Sequence, residues 1–206
     1  MPKKKNYLSN EELKTEILNC INDGYNKAVA NGYEYIPPFP DSDSPKQIQN
    51  YENAKKLGYM PERSMWIQQI KKYDPEKTNQ MVMQGEMSNE EAAKLNMQMK
   101  KPIVSDKLGR MFNLIVENVS KNFYWANPDD GMDCKANALL DLCSNFWKFE
   151  PIDSNGKAFS AFAFCTQIAF FGIAGEDRIL HPKKYKGTIS LSCIDENGKN
   201  FDSYNI

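Results

Sequence analysis

The sequence predicts a mainly α protein: a small helical bundle with an irregular helical N-terminal extension and a short C-terminal hairpin or tail. Three observations carry that prediction. Apolar residues recur at helical spacing through Leu108, Met111, Phe112, Ile115, Val116, Val119 and Phe123. Helix-start signals of the Ser-x-x-Glu kind stand at Ser9 with Glu12 and at Ser88 with Glu91. Strand-like alternation is read at residues 188 to 194, close to the end of the chain.

Taken in order, Ser9 caps a helix whose stripe is Leu13, Ile17, Leu18 and Ile21, and Asp23-Gly24 predicts its end near residue 23. Residues 1 to 24 form an N-terminal helical unit. Residues 25 to 102 then read as a polar insertion rich in proline and methionine. Pro37, Pro38, Pro40 and Pro45 among Asp41, Ser42, Asp43 and Ser44 exclude regular structure, because proline lacks the amide donor and fixes its own φ. Ser44-Pro45 and Gly58 bracket a short helix at 45 to 57, and another follows at 62 to 72. Met81, Met83, Met87, Met97 and Met99 suit either an adaptable interface or an irregular core.

Residues 103 to 180 read as the helical core. Ser105 caps the first core helix, and Asn127-Pro128-Asp129-Asp130-Gly131 breaks the pattern. A second helix then carries Ala136, Leu139, Leu140, Cys143, Phe146 and Trp147. After a turn at 151 to 156 comes the densest apolar stretch, 158 to 174, which predicts a central helix. It holds Phe159, Phe162, Phe164, Phe170 and Phe171, more rings than one side of a helix needs for a core, so some should face outward. Residues 181 to 206 are a basic linker followed by a hairpin or tail, with Glu196-Asn197-Gly198-Lys199 as the turn.

Composition narrows the function. With 206 residues, 41% hydrophobic and 26% charged, the chain makes one domain or one and a half, which excludes a large multidomain enzyme. Five cysteines without a CxxC pair argue against a disulfide framework and against a zinc site. The single histidine, His181, leaves no catalytic triad and no histidine-rich metal site. No P-loop, GxGxxG, HExxH or nucleophile elbow is present, so we expect neither an enzyme nor a cofactor. Asp129, Asp130 and Asp133 suit a magnesium ion or, as the blander reading, the start of a helix. The apolar stretch is short for a bilayer and holds Ser160, Thr166 and Gln167, so no membrane span is expected and a cytoplasmic location is.

The net charge of -1 hides a gradient. Residues 100 to 186 carry 12 basic and 10 acidic groups, whereas the last twenty carry one basic and three acidic. Arg178, Lys183, Lys184 and Lys186 therefore form a local patch for DNA phosphates, directly after the aromatic stretch. Exposed rings beside cations suit single-stranded DNA, because every base has a face to stack on. A helical adaptor that binds proteins and simply buries its phenylalanines is the alternative.

The order helix, loop, helix, short turn, aromatic helix over residues 111 to 174 resembles region 2 of bacterial sigma factors. The run from Asp133 to Lys148-Phe149-Glu150 matches, without a gap, the family stretch that opens on an aspartate and closes on lysine, phenylalanine and glutamate. Phe159-Ser160-Ala161-Phe162-Ala163 is similar to the family's phenylalanine-serine-threonine-tyrosine-alanine. The segment from Asn6 to Leu13 and the helix from Leu114 to Phe123 resemble, more narrowly, the late-transcription sigma factors of T-even-type phages.

That resemblance implies a minimal sigma factor that binds bacterial-type RNA polymerase core and recognises and melts an AT-rich minus-ten-like promoter element. Asp133, Ala136, Asn137, Leu140 and Asp141 would dock on the clamp coiled coil of the largest subunit. Lys157, Phe159, Phe162 and Phe164 would hold a base of the melted strand. The chain departs from the family at Ala136 and Asn137, where glutamine and glutamate are usual. It departs again at Cys165 and Thr166 in place of paired tryptophans and at Ala169 in place of a glutamine, which implies weaker duplex reading. About thirty residues follow the aromatic helix, too few for a helix-turn-helix domain. The resemblance supplies a sliding clamp instead, reached through Phe201, Tyr204 and Ile206, which a hairpin strand explains equally well. It adds a phage coactivator as a further partner.

Overall fold

The computed structural model describes residues 8–34, 61–125, 127–151 and 158–181. The helix expected at 45 to 57, Lys157, Lys183, Lys184, Lys186 and the terminal hairpin with Phe201, Tyr204 and Ile206 lie outside the described residues. The described order is α1 (Asn10–Ala30), α2 (Pro61–Lys72), α3 (Pro75–Met83), α4 (Asn89–Gln98), α5 (Asp106–Ser120), α6 (Pro128–Asn145), a 3-10 turn (Phe146–Lys148) and α7 (Ala161–Leu180). The fold is mainly helical, as the periodicity predicts.

Polar side chains start most of these helices, because the first turn leaves backbone donors without partners. The Ser9 hydroxyl accepts from Glu12 N at 3.1 Å, Ser105 from Leu108 N at 3.1 Å and Ser160 from Ala163 N at 3.2 Å. Asp74 accepts from Glu76 N at 2.9 Å ahead of α3. Ser88 and Glu91 close a full capping box on α4, and the Ser88 donors hold the Glu91 carboxyl below its ordinary range.

Several boundaries differ from the sequence reading, among them the central helix, expected at 158 to 174 and found at Ala161–Leu180. Gly24 does not end α1, which continues to Ala30. A Cβ at Gly24 would stand 3.0 Å from Trp66 Cη2 and 3.1 Å from Pro102 Cγ, so glycine is there for close packing. The real stop is Gly32, at φ +83°, where Gly32 N donates to Val29 O and Tyr33 N to Ala28 O, the double bond of a Schellman end. Gly85, at φ +74°, ends α3 in the same way. Another difference concerns Gly131, expected in a helix-breaking turn but lying inside α6, where the Trp125 ring would meet its Cβ at 3.0 Å. The break falls earlier, with Asn127 capping and Pro128 in the first turn.

A single buried cluster spans α1 to α7. Helix α5 buries Leu108, Met111, Phe112, Ile115, Val116 and Val119, each large apolar side chain contributing about 1.5 to 3 kcal/mol. It ends at Ser120, so Phe123 lies in the following turn rather than on the helix. Lys135 pairs with Glu117 at 3.1 Å and Phe112 meets Phe146 at 6.1 Å, which sets α6 antiparallel to α5. Asn137 Nδ2 donates to Gly172 O at 3.2 Å and His181 Nε2 lies 3.1 Å from Asp130, which sets α7 antiparallel to α6. The insertion joins the same core through Trp66, Ile67, Ile70 and Met99, and Trp66 Nε1 donates to Gln98 O at 2.8 Å. Among the described residues no helix is long and apolar enough to cross a membrane.

Candidate nucleic-acid interface

Helix α7 has its polarity inverted. Its buried positions are Ala161, Cys165, Ala169, Gly172, Ile173 and Asp177, mostly small residues four apart along one face. A Cβ on Gly172 would stand 2.7 Å from Ala138 Cα and 2.9 Å from Asp141 Oδ2, so α6 and α7 touch nearly backbone to backbone. At that distance no phenylalanine fits between them. The rings of the helix are therefore turned out: Phe162 is 37% exposed, Phe170 38% and Phe171 55%, while Phe159, just before the cap, is 39% exposed.

The three expected pocket rings do not form one pocket. Phe159 and Phe164 gather around the buried Phe149, with centroids at 6.3 and 5.4 Å and 6.5 Å between each other. Phe162 points to a different face, where it lines an open groove of about 620 Å³ with Phe170, Phe171, Thr166 and Gln167. The sequence holds the signal for that groove. Residues 162, 166 and 170 form one ridge of the helix and 163, 167 and 171 the next, each four apart. Ring count predicts that some rings face outward without saying which, so it assigns no role to Phe170 and Phe171.

The groove is apolar with two polar marks. Thr166 Oγ1 is buried and makes no hydrogen bond among the described residues. Gln167 is exposed on the rim. A second aromatic set continues from Phe170: its ring lies 5.3 Å from Phe123, which stacks on Trp125 at 5.7 Å and 16°. Tyr124 between them is almost fully exposed. These three residues of the α5–α6 turn escaped the sequence reading, which placed Phe123 on the helix.

The N-terminus of α7 is held from far along the chain. Asn10 Oδ1 accepts from Ser160 Oγ at 2.9 Å and from Phe162 N at 3.0 Å, which fixes where Phe162 leaves the backbone. At the other end, Arg178 is exposed in the last turn, and His181 faces Asp130 at 3.1 Å and Asp177 at 3.9 Å.

On α6, Asp133, Ala136 and Leu140 share one exposed stripe, and Leu140 is 65% exposed. Asn137 and Asp141 lie on the side of the helix that meets α7, through the Asn137 bond to Gly172 and the Asp141 carboxylate beside Gly172. Asp129 and Asp130 occupy the first turn of α6, where acidic groups complement the helix dipole. Among the described residues no three histidine, cysteine or acidic side chains converge on a point where a metal ion would sit. Burial raises the Cys165 thiol to about 12; burial, with Asp177, Glu176, Asp130 and Asp133 nearby, raises Cys134 to about 11. Both stay protonated and unreactive at neutral pH. No family model matches the chain, and neither a curated protein nor a solved structure does.

Proposed function

We propose that this chain is a minimal sigma-like subunit, which binds bacterial-type RNA polymerase through α6 and captures an unstacked promoter base on the rings of α7. One observation carries the reading: a helix at the centre of the fold buries alanine, cysteine and glycine while leaving three phenylalanines, Phe162, Phe170 and Phe171, exposed. Packing alone favours the opposite arrangement, since an exposed ring forgoes burial that stabilises by about 1.5 to 3 kcal/mol. Stacking returns about 1 to 3 kcal/mol per base, comparable with the few kcal/mol that unstacking a base costs. One or two rings therefore offset the opening of an AT step. The exposed stripe of Asp133, Ala136 and Leu140 supports a docking face on the neighbouring helix.

Reconstitution with bacterial core polymerase on a premelted template tests this. Phe162→Ala with Phe171→Ala should lower promoter-specific initiation at least about tenfold while core binding persists, from about 1.4 kcal/mol of lost stacking. Initiation at the unaltered rate sinks the assignment. Asp133→Arg should weaken core binding instead.

A second reading has its own support. Among the described residues, the groove lining of Phe162, Thr166, Gln167, Phe170 and Phe171 includes no cation, which favours an apolar protein partner and a helical adaptor without a DNA role. Salt separates the two. Counterion release makes DNA affinity fall steeply as salt rises, whereas apolar docking is nearly indifferent to it.

A further inference from the structure

We propose that the outer face of α5 pairs with the same face of a second copy of this chain, the two helices running antiparallel and crossing at Gly109. Opposite its buried stripe, α5 lines an open groove of about 720 Å³ with Val104, Asp106, Gly109, Arg110, Asn113 and Leu114. Ile103 and Leu114 put apolar surface into solvent at its edges.

Gly109 is the first mark of a partner. Glycine weakens a helix interior, so its presence calls for a packing reason. Gly24, Gly131 and Gly172 have one, with neighbouring atoms within 3.2 Å of the Cβ position. At Gly109, among the described residues, a Cβ would meet only Val104 Cγ1, at 3.9 Å. Among the described residues nothing needs the space, whereas a backbone or long side chain approaching from a second copy does.

The second mark is charge. Lys107 pairs with Glu16 at 3.3 Å and Glu117 with Lys135 at 3.1 Å, so the flanking charges of α5 are satisfied within the chain. Asp106 and Arg110 stand one turn apart, the spacing at which such pairs usually meet, yet neither side chain has an ion pair or hydrogen bond among the described residues. They lie along the groove with opposite signs, a self-complementary pattern. In an antiparallel twofold pair, Arg110 of each copy crosses Gly109 of the other, where no side chain obstructs it, and its guanidinium reaches Asp106 one turn back. The same register sets Asp106 opposite Asn113 and brings Val104 near Leu114. Every contact occurs twice, as a twofold interface requires.

Four turns of one helix per copy bury less than the roughly 800 Å² per partner of a standard interface, so the dimer is weak and concentration-dependent. Sedimentation equilibrium of the full chain tests the proposal. The mass should climb from one chain toward two as concentration rises. Arg110→Glu alone and Asp106→Arg alone should each leave a monomer, and the two together should restore the dimer by exchanging the charges. Gly109→Leu should abolish the dimer without lowering Tm, which separates a blocked interface from a damaged fold. A chain that stays monomeric at every concentration overturns the proposal, as does a dimer indifferent to Arg110→Glu or one that the double exchange fails to rescue; the groove would then serve a different molecule.

Discussion

Helices α5 and α7 belong to the same bundle and treat their large side chains in opposite ways. α5 sends Leu108, Met111, Phe112 and Ile115 into the core and keeps Asp106, Arg110 and Asn113 outside. α7 is the more apolar sequence, yet it turns Ala161, Cys165 and Ala169 inward and its phenylalanines outward. The difference follows from interhelical distance. α5 meets its neighbours across side chains, as with Phe112 against Phe146, whereas α7 meets α6 at Gly172, where the distance leaves room only for small residues. Hydrophobicity therefore says which helix is central, while residue size along each face says which side of it is free.

The comparison makes firm expectations. Phe112→Ala should cost about 3 to 5 kcal/mol in denaturant unfolding, since the ring is fully buried and leaves a cavity. Gly172→Ala should cost about 1 to 3 kcal/mol by overpacking α6 against α7. Gly109→Ala, by contrast, should stabilise by up to about 1 kcal/mol. Equal signs for the two glycines would mean that the close approach at Gly172 is not what shapes α7.

Alkaline titration gives a third handle on the inward face. Cys165 has its thiol raised to about 12 in the folded protein against 9.0 in the unfolded chain. Above pH 9 the unfolded state loses the proton first, so it binds fewer protons than the native state and stability falls as pH rises. The Cys165 share of the loss should reach about 1.4 kcal/mol by pH 10, and Cys165→Ala should remove that share in thermal unfolding while leaving the part due to Cys134. The smallest effect is expected on the outward face: Phe171→Ala should change stability by less than about 1 kcal/mol, because more than half of that residue is already in water.

Much of the fold is legible because it is local. Ser9, Ser88 and Ser105 announce helix starts through side-chain geometry that spans three residues, and the stripe of α5 repeats every turn. What depends on distant partners is not legible. Gly24 looks like a stop until Trp66 and Pro102 press on it, and Gly131 looks like a turn until Trp125 covers it. The candidate site divides along the same line. Outward-facing rings follow from their number, but the separation of Phe159 and Phe164 from Phe162 follows from Phe149, a buried ring in the turn before α7.

The bond from Asn10 to the start of α7 joins residues 150 apart in the chain. During synthesis, α1 leaves the ribosome long before Ser160 and Phe162 exist to meet it. The start of α1 must therefore wait for its last neighbour for most of translation, and the helix that bears the rings can be seated only after nearly the whole bundle has been made. For a protein whose rings end up in water, late seating also means that the sticky surface forms last, when the rest of the nascent chain is already folded around it.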